Sequence, residues 1–84
     1  MKPNKVRLFS KAMCSWCQEA AAWLDQHGIT YEKLDIGENP AARAEMVQLS
    51  KQSLVPVIEV DGNILADFDI GQLEAFLAKH GYQV

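Results

Sequence analysis

A strand-type pattern followed by a helix-type pattern and then a second strand-type pattern constrains this chain more than any other feature. Lys5-Val6-Arg7-Leu8-Phe9 alternates with a period of two, which puts Val6 and Leu8 on one face of a strand. Ser10 to Met13 reads as a short loop. From Ser15 to about His27 the helix formers take over: Gln18, Glu19, a run of alanines and Leu24. Cys17, Ala21 and Leu24 share one stripe of that helix, and Gly28 fits the position just past its end. Ile29 to Ile36 then alternates as a second strand. A strand, a crossover helix and a strand in one sheet connect right-handedly, so the first two strands are expected to be parallel neighbours.

The second half has a different rhythm. Asn39-Pro40 begins a helix, with Asn as N-cap and Pro at the first helical position, where its missing N–H costs nothing. Ala44, Val47 and Leu49 are expected to face inward, and the pattern fades between Ser50 and Ser53. Val55 to Val60 is an apolar, β-branched run. Asp61-Gly62 is a strong hairpin signal before a strand over Asn63 to Ala66. Asp69 and Gln72 match a capping box, and Ile70, Leu73, Phe76 and Leu77 supply the stripe of a last helix that Gly81 ends. The order β-α-β-α-β-β-α predicts a mixed four-stranded sheet flanked by three helices, an α/β fold of thioredoxin-like type.

At 84 residues and 49% hydrophobic composition, one domain with one core over residues 1–84 is expected. No apolar run approaches the roughly 20 residues needed to span a bilayer, and the first residues do not read as a signal peptide. A net charge of −3 argues against nonspecific binding of nucleic acid, which depends on neutralising phosphates. The cytoplasm is the expected location, with neither nucleic acid nor membrane as partner.

The chain has two cysteines, Cys14 and Cys17, separated by Ser15-Trp16. A loop this short gains little entropy from being closed, so the pair is no structural staple. A redox dithiol, half of a metal site and two buried thiols remain as readings. Zinc wants four ligands, and the isolated His27 and His80 do not complete a set within one chain. No intrachain metal is expected, although a cluster shared between two chains stays open. The position favours redox chemistry. Cys14 stands at the entrance of a helix whose first N–H groups are unpaired, which stabilises a thiolate, and Lys11 adds a cation to the same loop. Cys17, one turn on and on the inward stripe, suits the spacing of a disulfide and is expected to be less exposed. Cys14 is thus built to attack and Cys17 to resolve. Trp16 cannot share the buried stripe and reads as a substrate platform, whereas Trp23, Phe9, Phe76 and Leu77 read as core. His27 and His80 suit helix C-termini.

From Val6 to about His80 the chain resembles a glutaredoxin. Phe9-Ser10-Lys11-Ala12-Met13-Cys14-Ser15-Trp16-Cys17 is similar to that family's strand end, lysine and active-site C-P-Y-C, with Ser15 for proline and Trp16 for tyrosine. Leu54-Val55-Pro56 stands where the family has T-V-P. The resemblance implies a cis Pro56, preceded by a Val55 whose main chain bonds the substrate. It also implies that Lys11 and Arg43 contact the glycine carboxylate of glutathione. Ala66-Asp67-Phe68-Asp69-Ile70 replaces the family's G-G-x-D-D-like stretch, which holds the γ-glutamyl end. There Asp69 is expected to meet the amine, while the anionic Asp67 stands beside the ligand's carboxylates.

The activity implied is thiol–disulfide oxidoreduction through Cys14 and Cys17, acting on disulfide-containing or glutathionylated proteins. Glutathione is the expected reductant and no cofactor is tightly bound. The resemblance also admits a redoxin that takes electrons from thioredoxin reductase and serves ribonucleotide reductase, or a module holding a glutathione-ligated iron–sulfur cluster between two chains. A monomer is expected for catalysis.

Overall fold

The computed structural model describes residues 1–83. Its elements are β1 (Val6–Ser10), α1 (Ser15–Gln26), β2 (Glu32–Asp35), α2 (Pro40–Ser50), β3 (Val57–Val60), β4 (Asn63–Ala66) and α3 (Ile70–Lys79). The sheet order is β2-β1-β3-β4. β1 runs parallel to β2 and antiparallel to β3, and β3 and β4 form the expected antiparallel hairpin. This is a thioredoxin-like fold. No helix among the described residues is long and apolar enough to cross a membrane.

The two faces of the sheet bury two clusters, because successive strand residues point to opposite sides. Val6 and Leu8 of β1 and Ile58 and Val60 of β3 pack with Ala20, Trp23 and Leu24 of α1 and Leu73 and Leu77 of α3. On the other face Phe9 and Val57 meet Ala42 and Met46 of α2 and Ile36. Arg7 on that second face is bound to Glu59 of β3 at 2.6 Å and bidentately to Glu45 of α2 at 2.8 and 2.9 Å. The guanidinium therefore fastens α2 across the sheet.

Three expectations need correction. β2 spans only four residues, not Ile29 to Ile36. Gly28 turns at φ +67 and the Ile29 N–H donates back to the Leu24 carbonyl at 3.0 Å, so Ile29 closes helix α1 and is buried as an anchor. β3 begins at Val57 because Pro56 has no N–H for the ladder. Ala44 is exposed; Ala42 and Met46 are the buried residues of α2, with Val47 and Leu49 half-buried. Asn39 accepts the Ala42 N–H at 3.1 Å and sets the helix phase, and a residue two positions from both Ala42 and Met46 points away from the sheet.

The turns and caps otherwise follow the sequence. Asp61 and Gly62 take φ +49 and +91, as a two-residue hairpin requires. Asp69 accepts the Gln72 N–H at 2.8 Å while the Gln72 side chain accepts the Asp69 N–H at 2.9 Å, completing the capping box. The Asp61 carboxylate also accepts the Lys5 N–H at 2.7 Å, the Asn4 N–H at 3.2 Å and the Tyr82 hydroxyl at 2.7 Å. These bonds tie both ends of the chain to the hairpin.

Two stability tests follow from this packing. Leu73, fully buried between sheet and helix, is expected to cost about 2–5 kcal/mol when replaced by Ala, measured by urea denaturation. The hydrogen bond from Tyr82, followed by those from the Lys5 and Asn4 amides, holds the Asp61 carboxyl below its usual range. A depressed carboxyl adds stability above its unfolded pKa, and that stability is lost as pH falls through the folded value. Wild type is therefore expected to lose stability below about pH 4 more steeply than Asp61→Asn, as read from urea midpoints against pH. Parallel pH curves for the two proteins would contradict this.

Candidate active site

β1 ends at a buried Ser10, whose carbonyl accepts the Ile36 N–H at 2.8 Å. The chain then leaves the sheet through exposed Lys11 and Ala12, and Met13 turns it at φ +64. Cys14 is the extended N-cap residue of α1. Its Sγ accepts the Cys17 N–H at 3.3 Å, and its carbonyl accepts the Gln18 N–H at 3.0 Å. The helix terminus thus directs one of its unpaired amides at the Cys14 sulfur, which favours a thiolate there over a thiol. Cys14 is half-buried, whereas Cys17 is 2% exposed. The two are joined as a disulfide, with 5.2 Å between their Cα atoms.

A second segment approaches from the end of α2. Lys51 caps that helix in the left-handed region at φ +60, its N–H donating to the Val47 carbonyl at 2.8 Å. Leu54 and Val55 follow, and the Val55–Pro56 bond is cis, as the resemblance implied. Pro56 is buried, and its carbonyl accepts the Asp67 N–H at 2.8 Å. Asp67 takes φ +53 to make that bond.

Together the segments form a depression of about 380 Å³ lined by Lys11, Met13, Cys14, Ser15, Trp16, Leu54 and Val55. Of the residues singled out in the sequence, Lys11, Cys14, Trp16 and Val55 meet there. Cys17 and Pro56 are buried, and Asp67 is linked to Pro56 through its backbone. Asp69 is exposed at the head of α3, with one carboxylate oxygen engaged by the Gln72 N–H. Arg43 stands exposed on α2 and is outside the lining. Met13 and Leu54 line the depression but were not singled out, because an apolar residue in a loop carries no signal of its own in the sequence. A larger hollow of about 520 Å³, lined by Asp25, Gly28, Ile29, Thr30, Tyr31 and Lys33, holds no cysteine.

A cysteine pair joined as a disulfide at the head of the first helix of a thioredoxin-like sheet, facing a cis-proline loop, defines the class: a redox-active protein of the thioredoxin superfamily. The glutaredoxin family model matches residues 6–65, and the chain belongs to that family. It is similar to an uncharacterized glutaredoxin-like 8.6 kDa protein in the rubredoxin operon of Clostridium pasteurianum, at 32% identity over 74 residues, covering 88% of this chain and 99% of the relative. Glutaredoxin 3 of Escherichia coli K12 is 33% identical over 64 residues, 76% of this chain and 77% of that protein. The solution structure of the dithiolic glutaredoxin 2-C-Grx1 of Trypanosoma brucei brucei superposes with a TM-score of 0.70 at 30% identity, over 93% of this chain and 80% of that one. Fold, family and the Cys14–Cys17 pair together support a thiol–disulfide oxidoreductase.

The two sulfurs differ enough in surroundings to be told apart chemically. After reduction, iodoacetamide at about pH 6 is expected to label Cys14 and spare Cys17, located by peptide mass spectrometry. Labelling of Cys17 first would reverse the expected assignment of nucleophile and resolving thiol, and equal labelling of both would remove it.

Proposed function

We propose that the protein reduces protein disulfides and glutathione mixed disulfides, with Cys14 as nucleophile, Cys17 as resolving thiol and glutathione as the electron source. The observation that carries this reading is the Cys17 amide directed at the sulfur of a half-exposed Cys14, above a Cys17 removed from solvent. In the dithiol route the Cys14 thiolate attacks a substrate disulfide and forms a mixed disulfide, releasing one substrate thiolate. Cys17 then displaces the second substrate thiol, leaving Cys14–Cys17 oxidised; two electrons have passed to the substrate. With a glutathionylated protein, Cys14 alone takes the glutathionyl group and releases the protein thiol. A second glutathione then attacks that mixed disulfide, giving oxidised glutathione and the free Cys14 thiolate.

In this reading Lys11 and the helix terminus stabilise the attacking and leaving thiolates. Lys11 and Arg43 take the glycine carboxylate of glutathione, Trp16 supports the ligand, Val55 ahead of Pro56 bonds its main chain, and Asp69 meets the γ-glutamyl amine. The chemistry requires no tightly bound cofactor and a single copy of the chain. A reducing cytoplasm is the compartment that suits it.

A second reading has a specific observation behind it. Ala66-Asp67 stands where the resemblance puts the family's two glycines, and Asp67, exposed and joined to Pro56 through its backbone, adds a negative charge that works against the carboxylates of glutathione. Thioredoxin reductase is then the electron donor. The two readings separate in an NADPH-coupled disulfide reduction assay, run once through glutathione and glutathione reductase and once through thioredoxin reductase. Turnover with glutathione, abolished by Cys14→Ser, is the expected result. Turnover with thioredoxin reductase alone would remove the ligand roles of Lys11 and Arg43. Loss of both would remove the catalytic reading.

A further inference from the structure

Apart from Met1 at the start of the chain, the large apolar side chains that the fold leaves exposed gather around Cys14. Met13 is 95% exposed, Leu54 59% and Trp16 45%, and all three line the same depression. Backbone devices hold two of them outward. Met13 occupies the left-handed region, which a side-chain-bearing residue adopts only at a cost. Leu54 is gripped by the carboxamide of Gln52, whose oxygen accepts the Leu54 N–H at 2.8 Å and whose NH₂ donates to the Leu54 carbonyl at 3.0 Å. The same NH₂ donates to Ser50 Oγ at 2.9 Å, and Ser50 Oγ donates to the Met46 carbonyl at 2.7 Å. The peptide of Leu54 is therefore stapled to the end of α2 while its side chain stands in solvent.

Glutathione does not account for this rim. It carries two carboxylates, an amine, amides and a thiol, and no apolar side chain to cover Met13 or Leu54. An occupant that removes those surfaces from water brings apolar side chains of its own. Lys11 is the one charged residue in the lining, so the complementary occupant also carries a carboxylate.

We propose that the rim of Met13, Trp16 and Leu54 recognises protein disulfides whose half-cystine is flanked by bulky apolar residues, with an acidic residue close by. It favours these over disulfides in polar surroundings. The inference rests on the dithiol reading above and names its substrate class. The step balances as before: Cys14 and Cys17 thiols are oxidised to one disulfide, and the substrate disulfide gains two electrons and two protons.

The test uses the full chain, reduced beforehand and freed of reductant, in single-turnover reactions quenched with acid. Its substrates are two disulfide-cyclised peptides, each with one Glu, that differ only in Leu or Ser beside the half-cystines; hydroxyethyl disulfide is the small control. Rates are normalised to those of dithiothreitol on the same peptides. The Leu peptide is expected to react about 10-fold faster than the Ser peptide. In Met13→Ser/Leu54→Ser that ratio is expected to fall close to one, and in Met13→Leu/Leu54→Ile to persist. Replacing the peptide's Glu by Gln is expected to slow the wild type severalfold. A wild-type ratio near one, a ratio untouched by the double Ser substitution, or indifference to the Glu overturns the proposal. When hydroxyethyl disulfide is still reduced in that case, the dithiol reading survives alone. If no disulfide is reduced, both fall.

Discussion

The position of the Cys14 sulfur depends on β1 being held on both edges and both faces. β2 and β3 pair with its two sides, Val6 and Leu8 are buried against α1 and α3, and Phe9 is buried against α2. A strand fixed in this way delivers the chain at a set height above the sheet. Ser10, buried and bonded through its carbonyl to Ile36, is the last point of that grip. Everything between there and the head of α1 is exposed loop apart from the half-buried Cys14, so the location of Cys14 is inherited from the core and not from the loop.

The helix then treats its two sulfurs unequally. Both belong to the first turn, yet one lies outside the helix as its cap and the other points down the buried stripe. The outer sulfur receives an amide hydrogen and lines the depression; the inner one belongs to the buried side of α1, with Ala20, Ala21 and Leu24. A single element boundary, placed between Cys14 and Ser15, sets the two sulfurs in different surroundings. Arg7 contributes from a distance. By fastening α2 to the sheet through Glu45 and Glu59 it fixes the helix from which the Leu54–Pro56 loop departs.

Much of this was legible in the residues because local rules and tertiary packing agree. Asp61-Gly62, Asn39-Pro40 and the Asp69/Gln72 box each specify a turn or cap by their own chemistry, and each appears where the sequence placed it. The cysteine pair was legible for the same reason, since its position at a strand–helix junction carries the electrostatics with it. Periodicity served less well where the chain is short or two phases compete. The alternation from Ile29 to Ile36 conceals an anchor at each end of a four-residue strand, and the many alanines of α2 left its buried face undefined until Met46 is seen against Phe9. The Gln52 grip on Leu54 was invisible because an amide in a polar loop has no preferred partner until the backbone is in place.

Asp67 carries a consequence of another kind. Its backbone holds the left-handed conformation that glycine adopts most easily. Glycine in its place would leave the path of the loop unchanged, because the bond from the Asp67 N–H to the Pro56 carbonyl does not depend on the side chain. Aspartate and glycine codons differ by one base. A chain with this loop can therefore gain or shed a negative charge next to the cis-proline segment in a single mutational step without rebuilding the fold.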